Sequence, residues 1–439
     1  MTERTRSPSK SIRSSPSTAL KQVEELLGDI PQSLLATAAL RVKAYARALL
    51  YYETHIRKLM KEKNKRDFKD FIANDLGFLQ KVYSGLDEMD AVGGLSNLRS
   101  AASLHEQITE LEAQGRWHEA LLYYDQAMIE KEDDIGLFTG RLKCLQNLGR
   151  VEQVLELSRA ALYDTNRFSN TNAGIIRLHG IRAAWRLSNW NALDNFLPGV
   201  VDPDFEVYLA KALVAMKKND EKEFQEMISK ARNELVGPLS TASLDSYERA
   251  YPFVIKEHML TELEQCWNLV KNGQTNELPS IWEPRLKISQ HSFKPHEQIL
   301  HLRIVLAGMY LPSEVGQNWL RLAKTARIAY QYDAAEHALL KACSCRPRPD
   351  FYSVENSKLL LQQGKESLAI ITLKREVENK PLMDIKSEGP SLSDFVTDNN
   401  GSTGTNKSKK KTFSPIDFCF AKNLVMLGKI SFQKKKKNK

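Results

Sequence analysis

The chain has 439 residues, of which 42% are hydrophobic and 27% are charged, and its mean hydropathy is −0.42. These values are ordinary for a soluble globular protein and argue against wholesale disorder and against a membrane-spanning bundle. The 21 glycines and 16 prolines are too few for the many tight turns of an all-β fold, so the composition favours helices.

The net charge of +9 is concentrated at the C-terminal end. From Lys407 onward eleven lysines stand against one acid, Asp417, which gives this end +10 and leaves −1 for the 406 residues before it. We therefore expect no nucleic-acid-binding face on the folded part. The lysine clusters predict a nuclear import signal and a nuclear protein, although translation past an exon boundary produces a similar ending. The clusters comprise Lys409, Lys410, Lys411, Lys434, Lys435, Lys436 and Lys437.

Residues 1–29 begin with a stretch rich in serine and basic residues, with no apolar face, which predicts a disordered leader more strongly than an organellar transit peptide. From residue 30 to about residue 380, apolar residues recur every three or four positions, as in helices buried along one face. The five cysteines are scattered and include no CxxC pair, which indicates a reducing compartment.

A helix–turn–helix unit recurs through this region. In each copy an apolar helix end is followed by a small or polar turn residue, and the next helix opens with alanine or another apolar residue. Gly115 and Gly149 are 34 residues apart, the period of tetratricopeptide (TPR) repeats. Glycine permits a left-handed helix end, and alanine lets two helices approach closely. The pattern predicts an all-α fold, an α-solenoid of TPR-like helical hairpin repeats. The predicted turn glycines are Gly115, Gly149, Gly364 and Gly428, and looser copies lie at residues 183–190, 215–220, 326–335 and 361–369.

Two stretches interrupt the pattern. Residues 272–295 contain Pro279, Pro284 and Pro295, which predict an irregular connection, with Trp282 as the best candidate for an exposed anchor. Residues 386–412 are rich in Gly, Ser, Asn and Lys, which predicts disorder. The predicted organisation is a leader (1–29), a first block of repeats (30–271), a connecting segment (272–295), a second block (296–385), a disordered insert (386–412) and a partial repeat with a basic tail (413–439).

The polar residues that invite a chemical role form no convincing site. His291, His296 and His301 are spaced by five, which points them about 140° apart around a helix, so they cannot converge on a metal. Cys343 and Cys345 lack a second pair of ligands. We therefore predict no catalytic residue, metal site or cofactor in this chain.

Several blocks of sequence, in order, suggest a family. They include YERAYPFVIKEHMLTEL at 247–263 and NWLRLAKTARIAY at 318–330, with further blocks at 30–41, 43–49, 76–83 and 335–340. These blocks resemble the FAT domain of ATR-type kinases in the phosphatidylinositol-3-kinase-like family, over roughly residues 30–380. The resemblance implies that both blocks of repeats are FAT-type and curve around a C-terminal kinase domain.

The same resemblance implies an activity that this chain itself lacks. ATR-type kinases phosphorylate Ser or Thr followed by Gln after replication stress and work with the partner ATRIP. Ser289–Gln290 is the one such pair here, a weak candidate for autophosphorylation. No catalytic Gly-Asp-Arg-His run, Asp-Phe-Gly or glycine-rich phosphate loop is present, so ATP and Mg²⁺ would belong to a kinase domain outside this chain.

We therefore interpret the chain as an excerpt of an ATR-like checkpoint kinase, either a short isoform or an incomplete gene model. In this interpretation it is a non-catalytic scaffold that supports and regulates the kinase domain, in contact with that domain and an ATRIP-like partner. The alternative is a free-standing TPR-like adaptor that binds peptides in a groove. An adaptor of that kind should carry a ladder of Lys, Arg or Asn at fixed repeat positions, and the sequence shows none.

Overall fold

The computed structural model describes residues 30–62, 76–86, 88–97, 104–163, 170–200, 202–290, 292–378, 425–426 and 428. Within these residues the chain is helical and contains no strand, which confirms the all-α class. No helix in the described ranges is both long and apolar enough to cross a bilayer. The predicted leader, most of the insert and tail, and all seven lysines of the import signal lie outside the described residues.

The helices are 7 to 25 residues long. They are α1 Gln32–Arg41, α2 Tyr45–Glu62, α3 Met89–Asn97, α4 Leu104–Ala113, α5 Trp117–Glu130, α6 Ile135–Asn147, α7 Val151–Tyr163, α8 Asn170–Arg186, α9 Trp190–Phe196, α10 Phe205–Lys218, α11 Glu221–Asp245, α12 Tyr247–Lys271, α13 Leu278–Ile288, α14 Phe293–Tyr310, α15 Val315–Ile328, α16 Tyr332–Ser344, α17 Tyr352–Gln362 and α18 Glu366–Glu378. The chain divides into two compact units, residues 1–127 with 240–249, and residues 128–239 with 250–439.

In the first unit, small residues bring the N-terminal helices together. Ala39, Ala44 and Ala48 form a buried cluster with Val82, which belongs to a further helical stretch at residues 76–85. Because alanine side chains are short, α1 and α2 can approach closely at this cluster.

Acidic and amide side chains fix where several helices of the second unit begin. Asp134, Asn189 and Asp204 precede α6, α9 and α10, and each accepts a first-turn backbone N–H at 2.8–3.1 Å. A cap of this kind satisfies donors that have no partner within the helix, and its loss typically costs about 1 kcal/mol.

Consecutive helices are joined by one recurrent turn. At Gly115 (φ +70°) the backbone N–H donates to Glu112 O at 3.1 Å, and Arg116 N–H donates to Leu111 O at 2.9 Å, the two bonds of a Schellman motif. The residue five positions later, Ala120, is completely buried in the next helix. The same bond pair, positive φ and buried fifth residue recur along the chain. The left-handed turn residues are Lys43, Gly115, Gly149, Ser188, Asn219, Gly273, Tyr330 and Gly364.

These turns correct part of the sequence interpretation. The looser copies at 183–190, 215–220 and 326–335 contain the same turn, with a non-glycine residue in the left-handed position. Gly428, in contrast, is helical and has no positive φ, so the turn expected there is wrong. A glycine after an apolar run is compatible with a continuing helix, and the sequence alone did not distinguish the two.

Helix α14 is enclosed on all sides within the second unit. Every residue from Ile299 to Ala307 is buried, which requires neighbours around the whole circumference. Tyr310 at its end donates a hydrogen bond to the carbonyl of Met216 in α10 at 3.3 Å. Helices α8 and α15 also contact α14. The second unit therefore departs from a simple row in which each hairpin touches only the next.

The connecting segment is more ordered than predicted. It contains a 3₁₀ turn at Thr275–Glu277 and the helix α13, so the expectation of an irregular connection is wrong. Pro279 and Pro295 lie in the first turns of α13 and α14, where a missing backbone N–H costs nothing. Trp282 is 1% exposed, so it is a core residue and not the exposed anchor that we expected.

Candidate functional site

A fully buried ion pair connects α14 to α12. Arg303 donates from Nε to Oε2 of Glu262 at 2.9 Å, and its Nη2 pairs with Oε1. Neither side chain has exposed surface. His258, one turn before Glu262, contacts the same carboxylate at 2.8 Å. Burial of Glu262 works to raise its pKa, but the hydrogen bonds from Arg303 and His258 outweigh it and hold the pKa below its ordinary value.

Trp282 of α13 completes the surroundings of this pair. The guanidinium of Arg303 lies 5.5 Å from the centre of the Trp282 ring, which stabilises the cation by its π-face. Three consecutive helices, α12, α13 and α14, therefore meet at Arg303. Because neither Arg303 nor Glu262 has exposed side-chain surface, we interpret the role of this pair as structural.

A second polar residue of α14, His301, is also buried and is kept neutral. Its Nδ1 donates to the carbonyl of Glu297 at 2.9 Å, and its ring meets Trp319 of α15 edge-on at 5.7 Å. Burial, together with the positive charge of Arg186 in α8, lowers the pKa of His301 to about 3. At neutral pH this imidazole is therefore an uncharged packing element.

The third polar contact joins helices that are far apart in sequence. Oε1 of Glu152 in α7 lies 2.7 Å from Nζ of Lys341 and 3.2 Å from Nε2 of His337, both in α16. The hydrogen bond from His337, opposed by burial and aided by Lys341, lowers the pKa of Glu152 to about 2. Sequence reasoning did not find these residues, since nothing in a local pattern pairs positions 185 residues apart.

The candidates Ser289, His296 and His301, which lie among the described residues, are buried. Ser289 is 9% exposed, and its hydroxyl contacts the carbonyl of Leu286 at 2.8 Å and Nε2 of His296 at 2.9 Å. The Ser289–Gln290 pair is therefore not presented for phosphorylation in this conformation. His291 lies outside the described residues.

The two cysteine candidates differ in their surroundings. Cys343 is exposed, whereas Cys345 donates from Sγ to the carbonyl of Lys341 at 3.2 Å. Among the described residues no group of His, Cys, Asp or Glu is placed to hold a metal ion.

A cleft of about 310 Å³ lies between α7, α8 and α9, and its two arginines are already engaged. Arg159 donates to Glu156 on its own helix, and Arg177 donates to the carbonyl of Asn195 at 3.3 Å. The volume is at the low end of ligand pockets. Among the described residues that line it, none belongs to a glycine-rich phosphate loop.

Comparison with known families decides what this helical array is. Residues 179–438 match the FAT domain, and residues 2–111 match the M-HEAT region of the serine/threonine-protein kinase ATR. The chain belongs to the FAT-domain family of phosphatidylinositol-3-kinase-related protein kinases. This FAT-domain chain is 32% identical over 384 residues to the serine/threonine-protein kinase ATR of Oryza sativa subsp. indica and 31% identical over 388 residues to that of Arabidopsis thaliana. In each case the alignment covers 82% of the chain.

The family is broader than ATR. The serine/threonine-protein kinase mTor of Drosophila melanogaster is 26% identical over 307 residues, covering 68% of this chain and 12% of the relative. The chain spans 14% of the length of each of the two plant ATR relatives. The matched ranges also refine the expected boundary, because the N-terminal helices from residue 30 fall in the M-HEAT match, and the FAT match begins at residue 179 within α8.

Proposed function

We propose that this FAT-domain chain is a non-catalytic scaffold that supports and regulates the kinase domain of an ATR-like checkpoint Ser/Thr kinase. The observation that carries the proposal is the order of the two matches, an M-HEAT region specific to ATR followed by a FAT domain. The plant ATR relatives, aligned over 82% of the chain, support the ATR branch over the TOR branch.

The packing supports a mechanical role. A helix enclosed on all sides and a fully buried ion pair both resist deformation. A stiff array can hold a catalytic domain in one orientation, whereas an adaptor with a peptide groove needs accessible side chains along one face. ATP and Mg²⁺ would bind to the kinase domain. The chain alone should therefore neither bind ATP nor phosphorylate a peptide.

The cellular setting follows from the same proposal. An ATR-like kinase acts in the nucleus in the response to DNA damage and replication stress, together with an ATRIP-like protein. We assign nuclear import to the lysine clusters at 409–411 and 434–437, and no nucleic-acid contact to the folded part, whose net charge is close to zero.

A fluorescent fusion in which these seven lysines are replaced by glutamine should lose nuclear accumulation, and unchanged import would contradict the assignment.

Co-expression tests the scaffold role directly. The chain should co-purify with a separately tagged kinase domain of the Arabidopsis ATR relative and should not retain the kinase domain of the Drosophila mTor relative. Because the two kinase domains carry the same tag, a difference in the amount retained shows whether the chain prefers the ATR or the TOR kinase domain. Equal retention of both domains, or of neither when both are folded and bind ATP, would contradict the proposal.

A further inference from the structure

Helix α7 contacts α16 through two separate features. The first is the group formed by Glu152, His337 and Lys341, which we call the clasp. The second is backbone proximity, because a Cβ on Gly149 would lie 3.5 Å from the Cα and Cβ of Ala334. The turn before α7 therefore rests against the first turn of α16.

The clasp is unusual for an array of hairpins. In a linear solenoid each repeat contacts only its neighbours, so its ends move apart freely when the array flexes. Here the contacting residues are 185 positions apart and both belong to the second compact unit. The clasp therefore joins two helices of the same unit that are far apart in sequence.

The surroundings of the clasp hold it in place. The ring of His337 packs edge-on against Trp319, whose centre lies 6.1 Å away and which is 8% exposed. Trp319 in turn contacts His301 of α14. A chain of packed rings thus runs from the clasp to the enclosed helix. By comparison, the pair formed by Glu156 and Arg159, one turn along α7, lies within a single helix and makes no such connection.

We propose that the clasp is a conformational latch, which couples the motion of α7 to that of α16 when closed and lets these two helices move separately when broken. The clasp side chains are partly exposed, and ion pairs of this kind contribute little to stability individually, so the latch can open without unfolding the hairpins. Its effect lies in coupling α7 to α16. Loss of Glu152 should therefore change the amide exchange of α16, although Glu152 and His337 are 185 residues apart.

Hydrogen–deuterium exchange of the full chain tests the latch. In Glu152→Lys, backbone amides of both α7 and α16 should exchange faster, by about threefold or more. The matched control Glu156→Lys places the same charge change on the same helix and should affect α7 alone. The charge swap Glu152→Lys with Lys341→Glu should restore slow exchange in α16.

If Glu152→Lys accelerates exchange in α7 only, or if the charge swap gives no recovery in α16, the latch does not exist. Should Glu152→Lys fail to fold, the milder pair Glu152→Gln and Lys341→Met replaces it. Additive effects of those two changes on α16 exchange would refute the coupling, and non-additive effects would support it.

Discussion

Arg303 and Glu262 face each other across 2.9 Å with no exposed surface on either side chain, in helices that are 41 residues apart in sequence. Two charges removed from water are tolerated only when they satisfy one another. Their pairing therefore fixes how α14 lies against α12. Removing one of the two partners should therefore lower the free energy of unfolding.

Arg303→Met should destabilise the chain by about 3–5 kcal/mol, because it removes the arginine partner of the buried Glu262 carboxylate. The double variant Arg303→Met with Glu262→Met should recover a large part of this loss. Equilibrium denaturation measures both changes. Arg232→Met is the matched control, since its pairs with Glu257 and Glu264 are partly exposed and should contribute about 1 kcal/mol or less. Equal costs for Arg303→Met and Arg232→Met would contradict the interpretation.

The turn glycines should differ in their tolerance of valine. Gly149 and Gly364 have similar φ values, +74° and +77°, so a β-branched residue is strained at both. Gly149 also lies beside Ala334, whereas a Cβ on Gly364 meets no atom within 4 Å. We expect Gly364→Val to cost about 1–3 kcal/mol from backbone strain alone, and Gly149→Val to cost more. Melting temperatures in which Gly149→Val is the milder change would show that α16 does not confine the turn.

Tyr330 offers the opposite test, a change that stabilises. It holds the left-handed position of the α15–α16 turn with φ +59° and is 71% exposed. Tyr330→Gly should raise stability by about 1 kcal/mol, because glycine adopts this conformation without a steric penalty. Tyr330→Ala is the control, since it removes the same ring and keeps the strain. A gain with alanine equal to that with glycine would attribute the effect to the ring and not to the backbone.

The contact of Glu152 with α16 predicts a particular pH dependence. Since the pKa of Glu152 falls from 4.5 to about 2 on folding, the contact stabilises the protein above pH 4.5 and is lost as the pH falls from 4.5 towards 2. The difference in melting temperature between the wild type and Glu152→Gln should therefore be constant near neutral pH and narrow below pH 4.5. A difference that widens on acidification would have the wrong sign for a depressed carboxyl pKa.

The repeat turns show how much of the fold can be predicted from local sequence. Gly115 and Gly149 are recognisable because glycine is the usual left-handed residue. Ser188 and Asn219 are recognisable because each is a small or polar residue that follows an apolar helix end, as in the recurring unit. Lys43 occupies an equivalent turn that we did not predict, since a lysine carries no conformational signal.

The buried polar contacts could not be predicted from the sequence, for a different reason. Glu262 and Arg303 were not singled out from the sequence, and only tertiary packing brings them together. Trp282 was misplaced because the neighbouring prolines suggested a loop, although proline also suits the first turn of a helix. One signal was available: the segment from Ile299 to Ala307 is apolar on nearly every face, which is typical of an enclosed helix.

The most direct test of the scaffold proposal replaces the aligned segment of the Arabidopsis ATR relative with residues 30–378 of this chain and measures phosphorylation of a Ser-Gln peptide. We predict that the chimera keeps an activity comparable with its parent, and that introducing Arg303→Met into the chimera lowers it, because the scaffold loses its fixed geometry. An equivalent chimera with the Drosophila mTor segment should be much less active. A folded, ATP-binding chimera that is inactive with this chain, or as active with the mTor segment, would contradict the proposal.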